Sequence, residues 1–280
     1  MYQLAVIGDP ISHSLSPLMH SAAIEVLKIN YSYTALNIKP HELKSFVQQL
    51  TKNNWKGINV TIPHKQTIIP YLDTLDPSAQ RANAVNTVVV KNDQLIGYNT
   101  DGYGFLQGFK HHNINIRDKH ILLLGAGGAG YGIAASLLQS PIKSMTISNR
   151  NVKKATQLCQ SLKLMNSTPI TTIEWNETNL INAAKKNDII INTTPIGMIN
   201  MTSQPLFDDY SWVNNEKVCY DIIYNPLMTP FLRNSAAKNA TVINGLDMFV
   251  GQGAKAFELF TDIEPSHDVM KRAVLNTYST

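Results

Sequence analysis

Apolar runs of strand length alternate with amphipathic segments of helix length almost from end to end of the chain. Residues 2–7 predict a strand. Residues 17–29 predict a helix with Leu18, Ala22, Ala23, Val26 and Leu27 on one face, because helical positions three and four apart share a side. A short strand over 36–38, a helix over 41–50 and a strand over 57–62 follow, then short helices over 65–72 and 78–82. The runs 86–90 and 95–99 flank Lys91-Asn92-Asp93-Gln94, whose polar turn residues predict a hairpin. The first hundred residues therefore predict a parallel sheet with one antiparallel edge pair.

A connecting helix is expected over 102–110. Beyond it, strands are predicted at 120–124, 144–148, 188–192, 218–223 and 241–243, with helices after the first two. That alternation is the pattern of a doubly wound α/β fold, whose right-handed crossovers cover both faces of a parallel sheet. The last forty residues carry two helices, 248–260 and 268–278, and no strand, so they are expected to pack back on the first domain. The expected fold is two-domain α/β: an open, mostly parallel domain over 1–103, a doubly wound domain over 104–240, and a returning C-terminal segment over 241–280.

Composition narrows the class. A length of 280 residues suits two domains at ~150 residues each. Charged residues are 16%, below the ~25% of an average globular chain, and apolar residues are 44%, which argues against a disordered protein. A net charge of +4 is too mild to point to nucleic acid, and no basic run reaches the length of an arm; Lys153-Lys154 and Lys185-Lys186 are only pairs. Cys159 and Cys219 are far apart and have no second Cys or His at metal spacing, so neither a disulfide scaffold nor a metal site is expected. No secretory signal and no run of ~20 apolar residues is visible. The expectation is a cytoplasmic protein, a monomer or homodimer, that handles a small molecule rather than nucleic acid or membrane.

The first chemical motif lies in His120-Ile-Leu-Leu-Leu-Gly-Ala-Gly-Gly-Ala-Gly-Tyr-Gly-Ile-Ala-Ala135. Gly125, Gly127 and Gly130 form G-x-G-x-x-G between a strand and a small-residue helix, with Ala126, Gly128 and Ala129 completing the turn. Gly125 permits the tight turn, Gly127 lets backbone approach phosphate, and the helix N-terminus supplies partial positive charge. A cofactor with a free ribose 2′-hydroxyl usually meets an acidic residue about twenty positions on. This chain offers Ser148-Asn149-Arg150 there, with Lys153 and Lys154 beyond. A guanidinium pairs with a 2′-phosphate that a carboxylate would repel, so NADP is favoured over NAD.

The first half carries polar loops. In Pro10-Ile-Ser-His-Ser-Leu-Ser-Pro17, Ser16 before Pro17 reads as a helix cap, while Ser14 has no such role and suits a ligand-facing hydroxyl. Asn59-Val-Thr61-Ile-Pro63-His-Lys65 lies at the carboxyl end of a strand, where open α/β sheets bind ligands. Side chains 59 and 61 share a face. Lys65 enters the first turn of a helix, a placement that opposes the helix dipole and so suggests use. Asn86-Thr87 and Asn99-Thr100-Asp101-Gly102 flank the hairpin; they suit turns, but Asp101 facing Lys65 would hold an amine for proton transfer. No Tyr stands four residues before a Lys, and no His/Cys set supports zinc chemistry, so Lys65 is the best candidate base.

Taken together these residues resemble the shikimate dehydrogenase family. The pieces are Ile11-Ser-His-Ser-Leu-Ser-Pro17, Asn59-Val-Thr-Ile-Pro-His-Lys65, Ala84-Val-Asn-Thr87, Asn99-Thr-Asp-Gly102, Gly125-Ala-Gly-Gly-Ala129, Asn149-Arg150, Asn192-Thr-Thr-Pro-Ile-Gly-Met198, Asp221-Ile-Ile-Tyr-Asn-Pro226 and Asn244-Gly-Leu-Asp-Met248, in family order across nearly the whole chain. The resemblance implies NADP-dependent interconversion of shikimate and 3-dehydroshikimate, on the route to chorismate and the aromatic amino acids. It implies a substrate domain, a Rossmann-like NADP domain and a cleft between them. It assigns Lys65 the acid–base role beside Asp101, and Ser14, Ser16, Asn59, Thr61, Asn86, Tyr224 and Gln252 to the substrate. Asn149, Arg150 and Lys154 match the adenosine-phosphate region; Met198, Ile222 and Gly245 would lie near the nicotinamide. Asn83, Gly130, Asn151 and Gly251 stand where the family often has Gly, Ser, Thr and an aromatic. The alternatives are a quinate/shikimate dehydrogenase with relaxed cofactor use, a non-catalytic nucleotide or metabolite sensor on the same scaffold, and a folate-type dehydrogenase of similar architecture, which the serine loop does not support.

Overall fold

A computed structural model describes residues 1–199 and 205–278. The chain divides into two compact units, one of Met1–Gly104 with the residues from Val250 onward, the other of Phe105–Phe249.

The sheet of the first unit contains β1 (Tyr2–Gly8), β2 (Tyr31–Asn37), β3 (Trp55–Val60), β4 (Thr74–Leu75), β5 (Thr87–Lys91) and β6 (Gln94–Tyr98), in the order β2-β1-β3-β5-β6-β4. Only β5 runs against its neighbours; the other pairings are parallel. The hairpin is therefore internal, not the edge pair expected, because β4 adds itself beyond β6. Asn92 and Asp93 form its turn with φ of 52° and 58°, the left-handed pair whose twist suits a two-residue hairpin. Helices α1 (Ser16–Leu27), α2 (Leu43–Val47), α3 (His64–Thr67) and α4 (Pro77–Ala82) link these strands, and α5 (Asp101–His111) follows.

Alternation along β1 divides the core of this unit. Ala5 and Ile7 pack with Ile58, Val60 and Val88 and with Leu43 and Val47 of α2. Leu4 and Val6 pack on the other side with Tyr33, Val89, Ala256 and Phe260. The last two belong to the returning segment, and Gly57 makes room for it: a side chain there would collide with the Phe260 ring and the Val88 carbonyl. The buried face of α1 is Ser16, Met19, His20 and Ala23, whereas Leu18 and Val26 are exposed. The predicted face is thus rotated, because two of its buried positions are polar and escape an apolar pattern.

The second unit holds β7 (His120–Leu124), β8 (Ser144–Ser148), β9 (Ile170–Ile173), β10 (Ile189–Asn192), β11 (Val218–Asp221) and β12 (Thr241–Ile243). All are parallel, in the order β12-β11-β10-β7-β8-β9. The order reverses between β7 and β10, the place where doubly wound sheets open a crevice at the carboxyl ends. Its helices are α6 (Gly128–Leu137), α7 (Val152–Lys163), α8 (Glu177–Lys186) and α9 (Pro230–Ala236); α10 (Leu246–Thr261) and α11 (His267–Leu275) close the chain. Ile121 and Leu123 face α6 and α7, while Leu122 and Leu124 face α8 and α9, so β7 is apolar at every position between.

Sequence pattern misses β4, β9, α8 and α9. β9 is an edge strand in which Thr171 and Thr172 are exposed, so no apolar run announces it. The second unit also extends to Phe249, not 240, because β12 pairs with β11 and belongs to its sheet. Among the described residues no helix is long and apolar enough to cross a membrane, and no group of three or more His, Cys, Asp or Glu could hold a metal.

Candidate active site

In the first unit the polar residues gather beyond the carboxyl end of β3. His64 is fully buried, its Nε2 lying 2.6 Å from the Ile38 carbonyl, and the Val85 N–H donates to the Lys65 carbonyl at 2.7 Å. These contacts pin the backbone on either side of the Lys65 side chain. Lys65 Nζ then reaches Asp101 Oδ2 at 2.5 Å, with the lysine side chain 23% and the aspartate side chain 9% exposed. Asp101 opens α5, where a negative charge suits the helix dipole. The dipole argument for Lys65 itself carries little, since α3 is a four-residue helix whose single turn is both its first and its last.

Asn86 fixes the direction of the aspartate. Its Nδ2 donates to Asp101 Oδ1 at 2.8 Å and lies 3.0 Å from Thr100 Oγ1 and 3.5 Å from Gln252 Oε1. Its Oδ1 accepts from the Thr100 N–H at 2.8 Å and the Thr87 hydroxyl at 3.0 Å. One carboxylate oxygen thus faces an amide and the other an ammonium. Asn59, paired with Thr87 across β3 and β5, donates to Thr87 Oγ1 at 3.1 Å and to the Asn86 carbonyl at 3.2 Å. Thr61 follows β3 and packs its methyl group against Gly8.

Ser16 does not cap α1 as expected. Ser14 Oγ accepts the Ser16 N–H at 3.3 Å, so Ser14 serves the start of α1. Ser16 is the first residue of α1 rather than its cap. Ser14, Ser16, Asn59, Thr61, Lys65, Asn86, Asp101 and Gln252 all belong to this unit. Tyr224 lies in the second, its ring stacked on Phe249 at 4.5 Å.

The second unit carries a turn between β7 and α6 suited to a dinucleotide. Gly125 has φ +111° and lies so close to Thr193 that a Cβ would strike its hydroxyl. By contrast nothing lies within 4 Å of a Cβ placed at Gly127 or Gly128, so the backbone at the start of α6 is open to a phosphate-sized group. Gly130 replaces a frequent Ser for a local reason: a Cβ would sit 2.7 Å from the Gly125 carbonyl and 2.8 Å from Thr193 Oγ1. Asn149 ties this turn to the end of β8, accepting the Ala126 N–H at 3.0 Å and donating to the Asn151 carbonyl at 2.9 Å. Arg150 and Lys154 are exposed beside it, the guanidinium 6.0 Å from the Trp175 ring centre. Asn151 caps α7 through the Lys154 N–H, a role its common Thr counterpart would also fill.

Two loops at the neighbouring strand ends share one buried network. Asp221 Oδ1 accepts from Asn192 Nδ2 at 3.0 Å and the Ile223 N–H at 3.1 Å, and Oδ2 accepts from Thr229 at 2.8 Å. Asn192 Oδ1 in turn accepts the Thr194 N–H and hydroxyl, and its Nδ2 reaches the Ile196 carbonyl. Burial pushes the Asp221 carboxyl up to about 6 in spite of these donors. The network sets the loops that carry Ile222 and Met198, and the Gly245 N–H joins them through the Ile223 carbonyl at 2.9 Å. Sequence reading gave Asp221 and Asn192 no role. Their motif was visible, but not that the two side chains meet.

Three family models match successive parts of the chain. They describe the shikimate dehydrogenase substrate binding domain over residues 6–88, shikimate / quinate 5-dehydrogenase over 109–207, and the shikimate 5′-dehydrogenase C-terminal domain over 245–275. The NADP(+) shikimate dehydrogenase of Nitrosopumilus maritimus is 43% identical, covering 98% of each chain. The Listeria monocytogenes shikimate 5-dehydrogenase structure, in complex with shikimate and NAD, superposes with TM-score 0.93 at 31% identity, covering 98% of this chain and 96% of its own. The Thermus thermophilus shikimate 5-dehydrogenase, in complex with NADP(H) and shikimate, gives TM-score 0.87 at 32% identity over 99% of each chain.

Proposed function

Because this chain belongs to the shikimate dehydrogenase family, we propose that Lys65 and Asp101 form the proton-transfer pair of its reaction. The protein is an NADP-dependent oxidoreductase that interconverts shikimate and 3-dehydroshikimate in the shikimate pathway. NADP, when bound, supplies or accepts the hydride. Gly127, Gly128 and the first turn of α6 are assigned to its pyrophosphate, and Arg150 and Lys154 to its 2′-phosphate. Open space over the turn and the two exposed cations support that assignment.

The observation that carries the proton role is the 2.5 Å Lys65–Asp101 contact, with Asp101 held from behind by Asn86. During reduction, negative charge grows on the ring carbonyl oxygen. A protonated Lys65 stabilises that charge and then gives up its proton. In the oxidative direction the free amine accepts the hydroxyl proton as hydride leaves the same carbon. Asp101 orients the amine, and Asn86 with Thr100 prevents the carboxylate from turning away. Ser14, Ser16, Asn59, Thr61, Tyr224 and Gln252 are assigned to the substrate's carboxylate and remaining hydroxyls. Met198, Ile222 and Gly245 are assigned to the nicotinamide surroundings. Buried free cysteines accord with a reducing, cytoplasmic setting.

The Listeria relative holds NAD, which gives relaxed cofactor use a definite alternative. Nicotinamide absorbance, followed with shikimate or quinate and with NADP or NAD, separates the two. The reading predicts at least tenfold higher kcat/KM for shikimate with NADP than for any other pair, as expected where a guanidinium pairs with a 2′-phosphate. Equal rates with NAD would reject the role given to Arg150, and equal rates with quinate the substrate preference.

A further inference from the structure

The hydrogen-bonded set around Asn86 extends inward to a residue that the mechanism does not use. Tyr33, on β2, is 5% exposed, and its hydroxyl meets Asn59 Oδ1 at 2.7 Å. The direction of that bond follows from its neighbours. Asn59 places its amide nitrogen on the Asn86 carbonyl, which only accepts, so the amide oxygen must face Tyr33 and the phenol must donate. One buried hydroxyl therefore stands behind a side chain assigned to the substrate.

The ring that carries this hydroxyl is itself held. His20 stacks on it at 4.1 Å between ring centres and 6° between planes. Neither His20 nitrogen has a hydrogen-bond partner among the described residues. The imidazole thus serves as a flat plate, with Phe257 against it at 5.9 Å.

We infer that Tyr33 is a positioning residue, whose hydroxyl sets the orientation of Asn59 and so the affinity for the polyhydroxylated ring acid. The inference rests on the substrate assignment of Asn59. Without the hydroxyl, Asn59 Oδ1 loses its donor. Lys65, Asp101 and Asn86 keep their bonds to one another, and Thr100 still holds Asn86. The loss therefore falls on substrate binding and spares proton transfer.

Tyr33→Phe tests this while keeping the ring, its volume and the stack. The expected result is a rise in KM for shikimate of about tenfold, the size of one lost buried hydrogen bond. The kcat stays within about twofold, and KM for NADP and the pH profile of kcat are unchanged. His20→Phe keeps a ring against Tyr33 and leaves the hydroxyl in place, so it retains the wild-type KM for shikimate. Melting curves accompany both variants. Assays run below the lower melting point with NADP present, which stabilises the folded state. A wild-type KM in folded Tyr33→Phe, or an equal rise in both variants, overturns the inference and leaves the enzyme assignment standing. Failure of the wild-type protein to oxidise shikimate overturns both.

Discussion

Buried His20 in the first unit and buried Asp221 in the second bend the pH dependence of stability in opposite directions. Burial lowers His20 from its ordinary 6.5 to about 3, so its stabilising share is complete above pH 6.5 and is lost as pH falls toward 3. Burial raises Asp221 from 3.8 to about 6, so its share is complete below pH 3.8 and is lost as pH rises through 6. Each contributes a slope of about 1.4 kcal/mol per pH unit between pH 4 and 6, with opposite sign. In Asp221→Asn the amide oxygen can face Asn192 and Ile223 and the amide nitrogen Thr229. The expected outcome is a steeper loss of stability on acidification across that window, by about 1.4 kcal/mol per pH unit. Denaturant melts at several pH values check it, and an unchanged slope would refute it. At this scale Lys65 and Asp101 were legible, because an amine and a carboxylate at the ends of predicted elements invite a pairing. Tyr33 and His20 were not, since β1 stands between β2 and β3 and the Tyr33 side chain must reach past it to Asn59.

Among the elements, the end of α4 explains one departure from the family pattern. Asn83 follows the helix with φ 46°, the left-handed conformation that glycine adopts without strain and asparagine tolerates best after it. Asn83→Gly is therefore expected to leave stability within a few tenths of a kcal/mol, and Asn83→Ala to lower it by about 1 kcal/mol. Urea midpoints measure both, and an alanine variant as stable as wild type would contradict the account. Long periodic elements such as β1, α5, β7 and α10 were legible from apolar spacing. β9 was hidden because an edge strand with Thr171 and Thr172 in solvent needs no apolar run, and α8 because it buries only Leu180, Ala183 and Ala184. The reach of β4 beyond the hairpin depends on a partner strand twenty residues away, which no local pattern encodes.

At the scale of the whole molecule, the proton route and the cofactor turn are assigned to different units, each built around its own sheet. Sequence order made the second sheet legible, since repeated strand–helix crossovers permit few strand orders. The return of α10 and α11 to the first unit was legible too, because helices without a strand must cover an existing sheet. The boundary was not: β12 is three residues long, and only its pairing with β11 assigns it to the second sheet. The central claim is that the Lys65 amine moves the proton while NADP carries the hydride. The rate of NADPH formation from saturating shikimate by Lys65→Ala tests it most directly. The account predicts a loss of about a thousandfold, within the range for removing a general acid–base group, and a rate within tenfold of wild type would contradict it.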